Sequence, residues 1–153
     1  NMLIKMLTFT KFVDTPNTGT VLEDLMGWTD SLIRKQVTGV VHVANTGWVT
    51  PYDIALLLKK HILPTLPIEK ITKEELDRLT PNRRVDTVLN VDKLKSFGIE
   101  VRPYKERIEE IIKNLASNIA SADKTYLSKV LEETATASRQ RTIINNSYLD
   151  LLI

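Results

Sequence analysis

An α/β fold is predicted for this chain, and three observations predict it. Val37 to Leu58, VTGVVHVANTGWVTPYDIALLL, reads as one strand, one short loop and one capped helix in unbroken succession. Apolar residues recur at helical spacing on both sides of that unit. Short β-branched pieces bounded by turn residues lie between the helical stretches.

In the central unit, GVVHVA is an almost continuous apolar run bounded by Gly39 and by Asn45-Thr46-Gly47, the pattern of a strand covered on both faces. Thr50-Pro51-Tyr52-Asp53 then supplies an N-cap, a proline at the first helical position and an acid at the third. The helix that follows aligns Ile54, Leu57, Leu58 and Ile62. In open α/β sheets ligands gather beyond the carboxyl ends of strands, which here means the loop Ala44 to Thr50.

Taken in order, Met2 to Lys11 predicts a helix weakened at its end by Thr8, Phe9 and Thr10, and Phe12 to Asp14 a short extended piece. After the turn cluster Thr15 to Gly19, a helix runs to Lys35 with Thr20 as N-cap and Glu23 closing a capping box; Leu25, Trp28 or Thr29, Leu32 and Gln36 form its stripe and Gly39 stops it. Ile62 to Pro67 is too proline-rich for a helix, and Ile68 to Ile71 suits a short strand. Thr72 to Leu76 carries a second capping box, opening a helix that ends near Leu79. Pro81 to Arg84 is a loop with adjacent guanidiniums, and Val85 to Leu89 is extended. Asn90 caps a helix over Val91 to Ser96 that Gly98 closes. Pro103 starts a helix whose stripe is Ile108, Ile111, Ile112, Leu115 and Ile119. From about Ala120, Ser, Ala, Thr and Asn dominate, and Tyr148 to Ile153 is an apolar patch able to dock on a neighbour.

Composition removes several functions. The 153 residues suffice for one ordinary domain, with 42% hydrophobic residues to supply its core. Twenty-one basic against 19 acidic side chains leave a net charge of +2 with no dense basic block, which argues against nucleic-acid binding. The absence of cysteine excludes disulfides, thiolate metal sites and a cysteine nucleophile, and with two histidines, His42 and His61, a histidine-rich metal centre is excluded too. No apolar run reaches the length of a membrane span, and the start lacks the features of a signal peptide, so a cytoplasmic protein is expected. The opening Asn1, followed at once by an amphipathic segment, suggests a piece of something longer.

Catalytic constellations fail one by one. The five glycines (Gly19, Gly27, Gly39, Gly47, Gly98) are too scattered to cradle a phosphate. There is no G-x-S-x-G elbow and no H-E-x-x-H motif. A tyrosine base with a lysine four residues on, which would lower the phenol's pKa, is missing: Tyr52, Tyr104 and Tyr126 are followed at that spacing by Leu56, Ile108 and Val130. Binding candidates remain, each with a plain structural alternative. Arg83 and Arg84 are either a fork for a diphosphate or a solvated loop pair. Asn45 and Trp48 either contact a sugar or base, or are a turn asparagine and a partly buried indole. His42 is expected in the core with a hydrogen-bond partner, and Asp24 at a helix N-terminus, where negative charge is favoured.

Asn17 to Leu25 (NTGTVLEDL), Gly39 to Gly47 (GVVHVANTG) and Arg83 to Leu94 (RRVDTVLNVDKL) occur in the order and spacing of one family. Over about residues 1 to 115 the chain resembles the C-terminal part of the dTDP-4-dehydrorhamnose reductase family of extended short-chain dehydrogenases. It is especially similar to the nucleotide-rhamnose synthases, 3,5-epimerase/4-reductases acting on 4-keto-6-deoxy sugar nucleotides. The resemblance implies a C-terminal substrate lobe plus the last βα unit of an incomplete Rossmann sheet, with residues 116–153 as a tail that has no counterpart. An N-terminal Rossmann lobe would bind NADP(H) and carry the Tyr and Lys chemistry that this chain lacks. The family's loop arginine near the substrate maps onto Arg83 or Arg84, and Asn90 stands where aspartate is commoner. The chain alone is then expected to bind substrate without transferring a hydride. The alternative implied is a regulatory module that keeps the scaffold for a protein partner or a homodimer.

Overall fold

The structure is a computed structural model that describes residues 2–80 and 85–121. Its order is α1 (Met2–Met6), β1 (Lys11–Val13), α2 (Leu22–Arg34), α3 (Pro51–His61), β2 (Glu69–Ile71), α4 (Lys73–Leu79), α5 (Asp92–Ser96) and α6 (Tyr104–Ser121). The fold is mixed α/β, and its sheet is small: β1 and β2 pair in parallel, with Phe12 opposite Lys70 and Val13 opposite Ile71. No helix among the described residues is long and apolar enough to cross a membrane.

Local chemistry explains the helix starts. Thr50 accepts from the Asp53 N–H at 3.0 Å while the Asp53 carboxylate takes the Thr50 N–H, and Pro51 fills a position whose N–H would have no helical partner. Thr72 and Glu75 repeat the arrangement at α4. At α5 the expected Asn90 cap is not made: the helix starts at Asp92 after Val91 with no side-chain cap, and Asn90, one residue earlier, takes the Asp92 N–H on its Oδ1 at 2.7 Å in a local turn, while Gly98, at φ +70°, makes the left-handed turn that ends the helix.

Two apolar clusters hold these elements. The larger gathers Leu3 and Met6 of α1, Phe12 of β1, Ile54, Ala55 and Leu58 of α3, Leu66, and Tyr104, Ile108 and Ile112 of α6. The smaller joins Trp28 of α2 with Ala44, Val91, Leu94 and Ile99. Gly19 lies directly under the Tyr104 ring, where a Cβ would come within 2.1 Å of Cζ.

Several sequence expectations are corrected. Helix α1 stops at Met6, and α2 begins at Leu22 after Val21 with no side-chain cap. The Thr20 hydroxyl donates instead to the Val43 carbonyl at 2.7 Å, drawn there by a partner 23 residues away. Gly39 does not stop α2; the helix ends at Arg34, with Gln36 already at φ 53°. Gly39 to Ala44 is no strand: among the described residues its backbone makes no backbone–backbone hydrogen bond. Alternation is retained, with Val41 and Val43 packed on the Trp28 cluster and Val40 80% exposed. His42 is exposed rather than in the core, its Nδ1 3.2 Å from the Asn90 carbonyl.

Candidate functional site

Three loops converge beyond the N-terminus of α3. Asn17 is their hub: it exchanges backbone hydrogen bonds with Val49 at 3.3 and 3.1 Å, and its Oδ1 accepts from the Thr87 N–H at 2.9 Å. Thr18 reinforces the contact, since its N–H and hydroxyl both donate to the Thr87 carbonyl, at 2.9 and 3.0 Å. The Asn45 N–H donates to Gly19, and Thr46 pairs with Arg102 and Tyr104, which ties the third loop to the start of α6. The segments 15–20, 45–50 and 85–90 are thereby fixed relative to one another by backbone bonds, although the sequence separates the outer two by some 70 residues.

Trp48 stands on this platform. Gly47, at φ +76°, turns the chain just before it, and Trp48 is 54% exposed between that turn and the buried Val49. Such a half-exposed aromatic face suits stacking on a flat or apolar ring face.

Asn45 is placed differently. It is fully buried, and each polar atom of its amide is engaged: Oδ1 accepts from the Val21 N–H at 2.9 Å, and Nδ2 donates to the Asp24 carboxylate at 2.6 Å and to the Arg102 carbonyl at 3.2 Å. Asp24 in turn accepts from Arg107 Nε at 2.9 Å, so it serves this joint besides lying in the first turn of α2. Arg107 is 6% exposed and pairs also with Glu110 at 2.7 Å, which holds Arg102 at 3.0 Å. Burial pushes the Asp24 carboxyl up, but hydrogen bonds from Arg107 and Asn45 outweigh it and hold the group below the usual aspartate range. The hydrogen bonds of Arg107 to Asp24 and Glu110 raise it above its ordinary value.

A second charged knot lies at the edge of the platform. Asp86 accepts from the Thr15 hydroxyl at 3.0 Å and from Lys73 Nζ at 3.2 Å. Burial raises its pKa, and Lys73, Thr15 and Asn17 together bring it below the usual range. Arg83 and Arg84, which precede Asp86 in sequence, lie outside the described residues, as do the tail positions Tyr148 to Ile153.

The structure brings Trp48 and Asn45 into one loop, with only Trp48 presented to solvent. Sequence reading missed Asn17 and Arg107. Asn17 was legible only as a turn residue, whereas Arg107 carried a signal: a cation one position before Ile108, within the apolar stripe of α6. Among the described residues, no group of three histidine or carboxylate side chains can hold a metal ion.

Comparison with known proteins adds a second line of evidence. No protein-family model matches the chain. It is 26% identical over 112 residues to a bifunctional dTDP-4-dehydrorhamnose 3,5-epimerase/dTDP-4-dehydrorhamnose reductase of Arabidopsis thaliana, covering 73% of this chain and 37% of that protein. It is also 26% identical over 108 residues to a trifunctional UDP-glucose 4,6-dehydratase/UDP-4-keto-6-deoxy-D-glucose 3,5-epimerase/UDP-4-keto-L-rhamnose-reductase of the same plant, covering 71% of this chain and 16% of that one. Among solved structures it is similar to the L780 UDP-rhamnose synthase from Acanthamoeba polyphaga mimivirus, with a TM-score of 0.66 and 25% identity over 74% of this chain and 39% of that chain. The chain thus spans about two fifths, or less, of the length of these relatives.

Proposed function

We propose that this chain is the substrate-binding portion of an NADP-dependent reductase/epimerase acting on a 4-keto-6-deoxy sugar nucleotide, with residues 1–115 carrying that role; a division at 115/116 falls inside α6, which runs on to Ser121, so that helix links the two parts. The observation that carries the reading is the similarity, over 108 to 112 residues, to proteins named for epimerase and reductase reactions on dTDP- and UDP-linked sugars. The geometry supports it. Trp48 offers an aromatic face at the end of the rigid Asn17–Val49–Thr87 platform, and buried Asn45 fixes the loop that carries it. In this reading Arg83 or Arg84 supplies the planar, doubly bonded contact that a diphosphate favours.

The chain's own residues do not fit a dinucleotide cofactor. Its glycines lie at 19, 27, 39, 47 and 98, so the closely spaced glycines that let backbone N–H groups at a helix start approach a pyrophosphate are missing from the sequence. The hydride donor belongs instead to the Rossmann lobe of a complete enzyme, and the part played here is to bind and orient the sugar nucleotide. The test is calorimetric titration of the chain with UDP-4-keto-6-deoxyglucose and its dTDP counterpart, repeated on Arg83→Ala and Arg84→Ala. One variant should bind about ten- to a hundred-fold more weakly, as expected for loss of a charge-assisted contact worth about 1.5–3 kcal/mol, with an unchanged melting temperature. Normal binding by both variants, or a much lower melting temperature in either, would sink the assignment.

A further inference from the structure

We infer that Trp48 and Val88 are the two walls of a slot that holds the pyrimidine base of the nucleotide, with Thr18 as its floor. The inference rests on the reading above and names the part of the sugar nucleotide that the loop platform grips.

Register puts the three residues on one face. Asn17 and Val49 exchange both backbone hydrogen bonds as an antiparallel pair, so Thr18 and Trp48, one step along each segment, are the next cross-strand neighbours. Successive side chains in extended chain alternate between faces, and Trp48, 54% exposed, is turned away from the side on which Val49 is buried. On the far side of Thr18, its N–H donates to the Thr87 carbonyl at 2.9 Å and its hydroxyl accepts from the Leu89 N–H at 3.4 Å, so Val88 is the residue set opposite it. Val88 is 57% exposed, while the adjacent Leu89 packs on the Trp28 cluster. Trp48 and Val88 therefore flank Thr18 from two sides, two inter-strand spacings or roughly 9–10 Å apart.

That width suits one flat ring. Contact with a wall on each face takes about 3.5–4 Å per side, roughly 7–8 Å in all, so a single ring fits once the two side chains rotate slightly towards it, and two stacked rings do not. A ring with apolar faces removes both exposed walls from water as it enters.

The floor decides which ring. The Thr18 hydroxyl is engaged with the Thr87 carbonyl and the Leu89 N–H, the Asn17 Oδ1 accepts from the Thr87 N–H at 2.9 Å, and the Asn17 Nδ2 donates to the Thr15 carbonyl at 3.4 Å. A pyranose carries hydroxyls round its edge and needs polar partners, which this floor has already used. A base has two apolar faces and stacks without such partners, its polar edge left in solvent. The sugars of the reading above are linked to UDP and dTDP, and their bases are pyrimidines that differ in a methyl group at C5. Walls that meet the faces of the ring take either one.

The test titrates the 153-residue chain, ¹⁵N-labelled and methyl-labelled at valine, with UMP, with dTMP and with ribose 5-phosphate, each to about 10 mM. UMP and dTMP should each shift the Trp48 indole N–H and the Val88 methyls saturably, with one dissociation constant for the two signals and values for the two nucleotides within about threefold of each other. A nuclear Overhauser contact from the base H6 to the Val88 methyls is expected, and ribose 5-phosphate should move neither signal. Val88→Ser should weaken both nucleotides about fivefold at an unchanged melting temperature, because the side chain lies outside the core. Equal shifts with ribose 5-phosphate, a Trp48 response without Val88, no response to either nucleotide, or parent affinity in Val88→Ser would each overturn the proposal. UMP and dTMP carry no keto sugar, so failure here is distinct from failure of the sugar-nucleotide reading, which the titration with UDP-4-keto-6-deoxyglucose decides.

Discussion

Asp24, Asn45 and Arg107 meet from three separate elements, and their exchange of hydrogen bonds explains why polar groups tolerate that depth. Burying a charge is costly unless it is paired and hydrogen-bonded, and breaking a buried pair by removing one partner costs about 3–5 kcal/mol. Arg107→Ala should therefore lower unfolding free energy by about 3 kcal/mol in urea denaturation, leaving Asp24 with Asn45 alone. The pH dependence has a definite sign. Because the folded Asp24 carboxyl titrates below its unfolded value, the joint contributes stability that is fully present above about pH 4 and is lost as pH falls through the folded value. Asp24→Asn should flatten that acid limb relative to the parent in melting curves taken between pH 2 and pH 6; an unchanged limb would show that other carboxylates govern it. Of this joint the sequence disclosed Asn45 as a turn asparagine or ligand contact at the end of the central run and Asp24 as a helix-start acid. Their pairing with each other and with Arg107 was not legible, because Asn45 lies 21 residues from Asp24 and Arg107 lies 83 from it.

Helix starts were the most legible elements, because a capping box is local: Thr50 with Asp53 and Thr72 with Glu75 are complete within four residues. Thr20 with Glu23 has the same letters and no box, since the Val43 carbonyl competes for the hydroxyl and the chain enters α2 two residues later. The difference is measurable. Thr50→Ala should cost about 1 kcal/mol or slightly more, as loss of a working cap does, and should fray α3 in amide exchange. Thr20→Ala should leave exchange at the first turn of α2 unchanged; fraying there would restore it to a capping role. The GVVHVA run was misread for a related reason. Its β-branched pattern reports the burial of Val41 and Val43 correctly, but composition cannot say whether a partner strand lies in the same stretch of chain.

At the scale of the molecule, the α/β class was legible in the alternation of capped helices with short β-branched pieces, and the parallel pairing of β1 with β2 was not, since their register joins residues 58 apart such as Lys11 and Glu69. The converging loops make the account's central claim testable in one titration. Trp48 is half exposed on the platform, whereas Trp28 is buried with its Nε1–H donating to the Glu100 carbonyl at 3.1 Å, so the two indoles report on site and core separately. The indole N–H resonances of the ¹⁵N-labelled chain should be followed while UDP-4-keto-6-deoxyglucose is added to several millimolar, a range that detects even a Kd of about 1 mM. A saturable shift of the Trp48 signal with Trp28 unmoved is the predicted result. If neither signal moves, or if both drift together without saturation, this chain does not bind sugar nucleotides through that loop and the account is contradicted.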